Sequence, residues 1–190
     1  MLGVLDVLNW NQIEQNLKDL IIREDNLSYE KITEFDSEIF EFDKSMCGIN
    51  RENFLRCWYS KGNFEKLKVR SKESGKLKGY GMSIDYYQRC IMIGPIVCDD
   101  LKTSGLLLFL KLLQRAKKDY LEPGRAKCPE RKEIFIHIYN SSGLSEIIEK
   151  FGFVSTKRQL LSYMTYEFPD CWDSRFKSIF ATCSGNYGPF

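Results

Sequence analysis

A single histidine, seven cysteines and an acidic loop that opens a leucine-rich helix are the parts of this 190-residue chain best suited to chemistry. His137 is the side chain that exchanges protons most readily near neutral pH. It lies in the apolar stretch Glu133–Tyr139, alternating with Ile136 and Ile138 and so sharing a face with Phe135 and Tyr139. A packed histidine is the favoured reading of that pattern; a general base is the alternative if the face lines a cleft. Cys98 ends the apolar stretch Cys90–Cys98. With no second histidine to deprotonate it, Cys98 reads as a small buried hydrophobe rather than a nucleophile. Directly after it, Asp99-Asp100-Leu101-Lys102-Thr103-Ser104-Gly105 leads into Leu106-Leu107-Leu108-Phe109-Leu110. A strand that runs into a helix N-terminus presents backbone N–H groups to an anion such as a phosphate. Asp99 and Asp100 either organise that loop or cap the helix, with capping favoured. Glu34, Glu41 and Asp85 are weaker acid–base candidates, and Tyr80, Tyr86, Tyr139, Tyr163 and Tyr187 carry phenols able to donate a proton, although most read as packing residues.

Those residues need elements to hold them. Trp10–Arg23 carries Trp10, Ile13, Leu17, Leu20 and Ile21 at helical spacing, which predicts an amphipathic helix packed by one side. Leu27–Phe35 fits a short strand. Glu38–Met46 and Arg51–Tyr59 predict helices, the second capped by Asn50 and burying Phe54, Leu55 and Trp58. Lys66-Leu67-Lys68-Val69-Arg70 alternates strictly, Ser71–Gly75 supplies a turn and Lys76–Ile84 returns, which predicts a hairpin. A second turn at Asp85–Arg89 leads into the Cys90 strand. After the Leu106–Leu121 helix, Glu122–Lys132 is a loop, Glu133–Tyr139 a strand and Asn140–Phe153 a helix. Leu160–Glu167 and Lys177–Cys183 are expected to close the sheet.

Composition bounds the function. Hydrophobic residues make up 43% and aromatic residues 14% of the chain, which excludes a disordered polypeptide and fits about one domain with its own core. The +2 formal charge does not mark a strong nucleic-acid or membrane binder. The basic hairpin (Lys66, Lys68, Arg70, Lys72, Lys76, Lys78) alternates with Leu67, Val69 and Leu77 and lacks interleaved aromatics, so a solvated sheet face is expected rather than an RNA surface. The cysteines contain no CxxC pair and no basic leader precedes them, so they read as free thiols in a reducing, cytoplasmic setting. One histidine and no clustered cysteines argue against zinc, and no apolar run approaches a membrane span.

The order of elements (strand, two helices, three-strand meander, helix, strand, helix, two strands) resembles the GNAT superfamily of N-acetyltransferases. Its YitH-like branch is the most similar in motif. The branch's signatures are matched by Phe42-Asp43, Gly48-Ile49-Asn50-Arg51, Phe54-Leu55 and Trp58, by Gly79-Tyr80-Gly81, by Ile93-Gly94-Pro95 with Asp99-Asp100, and by Glu149-Lys150-Phe151-Gly152-Phe153. The resemblance implies a mixed, mostly antiparallel central sheet flanked by helices over residues 27–190, with residues 1–26 as an amphipathic extension able to dock a partner or a second copy. It implies acetyl-CoA as co-substrate and direct attack by an unidentified amine. The backbone of Ile96, Val97 and Cys98 would face the thioester. Lys102, Thr103, Ser104, Gly105 and Leu106 would face the pyrophosphate, and Asn140 or Ser141 would take the place of the asparagine that follows the fifth strand. His137 would be the leading base. The pattern departs from the family where Asp100 and Thr103 stand in the pyrophosphate loop (Gln/Arg-x-x-Gly-x-Gly/Ala), of which Gly105 is kept, and where Ile148 stands at the position of the usual tyrosine acid. A GNAT-fold binding or interaction module without catalysis is therefore the alternative.

Overall fold

The computed structural model of the chain describes residues 2–6, 15–16, 26–34, 36–60, 64–86, 90–121, 133–137, 149, 153–155 and 179–181. Their strands are β1 (Leu2–Asp6), β2 (Leu27–Lys31), β3 (Phe64–Ser71), β4 (Leu77–Tyr86), β5 (Cys90–Cys98), β6 (Glu133–His137), β7 (Phe153–Ser155) and β8 (Ile179–Ala181). The helices are α1 (Ser37–Cys47), α2 (Glu52–Ser60) and α3 (Leu106–Leu121), and a π-helical turn at Leu101–Gly105 leads into α3. The strands form one sheet in the order β2-β3-β4-β5-β6-β1-β7, with β8 also on β5. Within this sheet β5 and β6 run parallel and the other neighbours antiparallel.

Local chemistry accounts for the helix ends. Asp36 caps α1 by accepting the Glu38 N–H at 2.9 Å. The helix stops at Gly48, whose φ of 75° is a conformation glycine adopts without steric cost, and whose N–H returns to the Lys44 carbonyl at 2.8 Å. Asn50 caps α2 through the Glu52 N–H at 3.0 Å. The β3–β4 hairpin follows the strict alternation of its sequence, turning at residues 72–74.

Each face of the sheet carries a helical layer. On one side, Leu67, Val69, Ile93, Ile96, Cys98, Ile134, Ile136 and Phe153 pack against α3, whose residues Leu106–Leu110 are all buried. On the other, Leu77, Tyr80, Met82 and Val97 pack with Ile39 and Cys47 of α1 and Leu55 of α2. Gly79 and Gly81 let α3 lie close. A Cβ at Gly79 would meet Leu108 Cδ1 at 3.0 Å and the Val97 carbonyl at 2.9 Å, and one at Gly81 would meet Ile96 Cγ1 at 2.9 Å and Leu112 Cδ1 at 3.2 Å. Tyr80 between them projects to the opposite face, so the Gly79-Tyr80-Gly81 triplet serves both layers.

The expected elements differ from the structure in several respects. Leu2–Asp6 is a strand, inserted antiparallel between β6 and β7. Phe153 opens β7 rather than closing a helix, and its ring lies 5.8 Å from that of Phe109. The charged side of β3 is not a solvated face. Lys66 is buried, Lys68 pairs with Glu30 and Asp36, and Arg70 pairs with Glu30 and Glu38. β2 and the first turn of α1 supply those carboxylates, so the charges of Lys68 and Arg70 are matched within the fold, while Lys72 and Lys76 near the turn are exposed. Of the predicted Trp10–Arg23 helix, Gln15 and Asn16 are helical and the other residues lie outside the described set, as do residues 160–167. Among the described residues no helix is long and apolar enough to cross a membrane, and no group of His, Cys, Asp and Glu is placed to hold a metal ion.

Candidate functional site

The site is built on β5, whose two edges are treated differently along its length. One edge pairs with β4 from Cys90 to Cys98. The other pairs with β6 only from Cys90 to Ile93, where Ile93 stands opposite Ile136. Beyond Ile93 the strands part. Gly94 has a φ of 136°, which favours glycine, and Pro95 has no N–H to donate to a ladder. On the β4 side the register also slips here: Gly81 pairs with Ile96 and Ser83 with Ile93, so Gly94 and Pro95 together oppose Met82. This bulge bends β5 away from β6. Past it, Ile96 pairs with Ala181 and Val97 with Ile179 of β8.

Of the residues expected to face a thioester, Ile96 and Cys98 have side chains buried against α3 and Val97 has its side chain buried on the α1–α2 side, leaving backbone as their chemical contribution. Burial, followed by the charges of Asp99 and Asp100, pushes the Cys98 thiol far above its ordinary pKa despite a hydrogen bond with Ser104. A thiol held neutral in this way does not serve as a nucleophile.

The two aspartates after β5 have separate tasks. Asp100 is extended and caps the π-helical turn: its carboxylate accepts the Lys102 N–H at 2.9 Å and the Thr103 Oγ1–H at 2.8 Å. Asp99 organises the loop: its carboxylate lies 2.9 Å from Ser104 Oγ and 2.7 Å from Lys78 Nζ. Ser104 Oγ also lies 2.9 Å from the Asp100 carbonyl. The Gly105 N–H donates to that same carbonyl at 3.0 Å, and the Leu106 N–H points to the carbonyls of Leu101 and Thr103. Ser104, Gly105 and Leu106 are buried, whereas Lys102 is exposed on the turn. The turn therefore stands at the end of β5, with a carboxylate of the chain already on the N–H of Lys102.

His137 is the last residue of β6 and pairs with Leu2 of β1. It follows Ile136, the last β6 residue paired with β5, so its backbone stands where the two strands separate. Asn140 and Ser141 lie outside the described residues.

One polar constellation was not anticipated as such. Asp43 of α1 is fully buried and accepts hydrogen bonds from Arg51 Nε at 3.0 Å, from Arg51 Nη2 and from the Tyr80 hydroxyl; Cys47 Sγ lies 3.5 Å from the same carboxylate. Burial disfavours the Arg51 charge, but Tyr80, Asp43 and Cys47 outweigh it and raise the guanidinium pKa, so the cation persists. These residues come from α1, the start of α2 and β4, so the network ties both helices to the strand beside β5. A signal for it was present in the sequence: Asp43, Arg51 and Tyr80 belong to the motifs that carry the family resemblance, and buried charges require partners.

No curated protein matches this chain. Among solved structures, a tandem GNAT protein from the clavulanic acid biosynthesis pathway is 15% identical with a TM-score of 0.48, covering 80% of this chain and 48% of its own. A functionally unknown conserved protein from Staphylococcus epidermidis is 12% identical with a TM-score of 0.44, covering 80% and 56%. An aminoglycoside acetyltransferase from an uncultured soil metagenomic sample, in complex with trehalose, is 15% identical with a TM-score of 0.46, covering 77% and 100%. The chain thus spans about half the length of the first two. The family model of the acetyltransferase (GNAT) domain matches residues 39–166, from α1 past β7. With that match over more than half of its length, the chain belongs to the GNAT acetyltransferase family and has its α/β fold.

Proposed function

We propose that this domain is an acyl-CoA-dependent N-acetyltransferase, with the coenzyme along the edge of β5 away from β4 and its pyrophosphate at Lys102–Leu106. The observation that carries this reading is the parting of β5 from β6 at Gly94-Pro95, which leaves Ile96 and Val97, just before a helix N-terminus, with the short strand β8 on that edge in place of β6. A backbone edge suits the amide-bearing arm of coenzyme A, and a helix N-terminus suits phosphate. Membership of the acetyltransferase family supports the same reaction class, and the motifs around Asp43, Arg51 and Tyr80 support placement in the YitH-like branch.

Acetyl-CoA would supply a thioester carbonyl carbon and a thiol leaving group. The chain's part is to orient that carbonyl against the backbone of Ile96–Cys98, where an N–H can stabilise developing negative charge. An amine attacks directly: its nitrogen forms the new C–N bond as the C–S bond breaks, the amine proton passes to a base, and the departing thiolate takes a proton from solvent. Cys98 forms no covalent intermediate, since its thiol is held neutral. His137 is the proposed base because β6 ends with it at the point of separation. In an assay of thiol release from acetyl-CoA over an amine panel, wild type turns over and His137→Ala loses roughly 100-fold or more in kcat, with KM for acetyl-CoA little changed and the acid limb of the pH–rate profile removed. A variant with an unchanged pH–rate profile would show that His137 is only packed.

Capping of the turn by Asp100 favours a second reading, a non-catalytic binding module. Coenzyme binding without thiol release to any amine would select it.

A further inference from the structure

β5 offers its outer edge to different partners along its length. β6 takes Cys90–Ile93, and β8 takes Ile96 and Val97. The backbone of β8 also runs close to that of the Leu101–Gly105 turn. One short strand from the C-terminal part of the chain therefore lies over both the backbone edge and the turn that the coenzyme reading assigns to acyl-CoA. A strand edge offers its N–H and C=O groups in the sheet plane to one neighbour at a time. The amides of a bound coenzyme arm and the backbone of β8 thus compete for the same groups.

The ladders differ in strength. β4 holds β5 from Gly79 to Tyr86, whereas β8 spans only Ile179–Ala181 and changes register between its partners. Exchanging the β8 pairing for hydrogen bonds to a ligand is close to balanced, because one set of backbone bonds replaces another. Exchanging β4 would dismantle the sheet.

We propose that β8 is a displaceable strap over the acyl-CoA site: β8 pairing and coenzyme binding exclude each other, and release of the strap sets the apparent affinity. This rests on the coenzyme reading and adds regulation of the same site. A ligand that binds only the open form is weakened by the fraction of molecules in that form.

The test uses the full chain. Hydrogen exchange is followed with and without saturating acetyl-CoA, and acetyl-CoA affinity is measured for wild type and for Ile179→Pro/Ala181→Pro, in which both β8 residues opposite β5 lose their N–H groups. The expected result is faster exchange at Ile179–Ala181 on binding, with continued protection at Ile96–Cys98, and about tenfold tighter binding by the double variant. Binding by the variant alone would support the strap equally. If wild type binds, unchanged exchange at Ile179–Ala181 overturns the strap and leaves the coenzyme reading standing, and this holds even if the double variant does not fold. Absence of binding by both folded proteins overturns the coenzyme reading and the strap with it.

Discussion

Asp43 shows how one side chain organises the surroundings of the site. Its carboxylate is fully buried and receives Arg51 and the Tyr80 hydroxyl. Removing one member of a buried pair leaves the other charge without compensation, which is far more damaging than the net value of the pair. Asp43→Ala is therefore expected to destabilise the domain by about 3–5 kcal/mol, and Tyr80→Phe by about 1–3 kcal/mol, measured by urea denaturation. A change below about 0.5 kcal/mol for Asp43→Ala would show that the network contributes nothing to stability. Exposed charges act more weakly. The hydrogen bond from Lys68 is the main cause lowering the Asp36 pKa, with burial opposing it and the Glu38 N–H assisting. Glu30 and Glu38 are lowered chiefly by Arg70. Carboxylates lowered in the folded state stabilise it above their unfolded pKa and lose that contribution as pH falls through the folded value. Stability should thus decline as pH drops below 4.5 for the glutamates and below 3.8 for Asp36. Asp36→Asn should lose roughly 1 kcal/mol at neutral pH and show a shallower acid decline. An identical acid profile in the variant would contradict the assignment.

At the scale of elements, α3 on β4 and β5 decides the geometry of the turn. Gly81→Ala places a methyl against Ile96 and Leu112, and Gly79→Ala places one against the Val97 carbonyl, which cannot move aside. Each is expected to lower stability by about 1–3 kcal/mol, with Gly79→Ala the larger effect in the same denaturation assay. The reverse ranking, or no loss at either position, would show that α3 does not rest on these glycines. Elements whose signal is local were legible in the sequence. Cys90–Cys98 is bounded by its own apolar run, the β3–β4 hairpin by alternation and its turn, and α2 by its Asn50 cap. Partner choice is a long-range property and was not legible. Nothing local in Leu2–Asp6 says that it inserts between β6 and β7. Nor does Ile179–Ala181 announce that it pairs with β5. The alternation of β3 correctly separated its faces but did not reveal that Asp36 and Glu38, at the start of α1, pair with the charged one, because they lie more than a helix away in sequence.

For the whole molecule, two helical layers hold a sheet whose central strand splits its outer edge between β6 and β8. The family match establishes the fold, and the parting of β5 from β6 at Gly94-Pro95 is the feature on which the proposed coenzyme site rests. The site was partly legible: the strand-to-helix step from Cys98 to Leu106 and the capping by Asp100 stood out in the sequence, whereas the loop-organising role of Asp99 and the placement of β8 did not. The measurement closest to the central claim is calorimetric titration of folded protein with acetyl-CoA, run beside Gly105→Glu, which sets a charge at the buried end of the π-helical turn. The proposed site predicts binding on the micromolar scale, about −8 kcal/mol, in wild type and none in a variant with unchanged circular dichroism. Equal binding by both proteins would contradict the placement of the coenzyme, and absence of binding by wild type and by the β8 double variant would contradict the coenzyme itself.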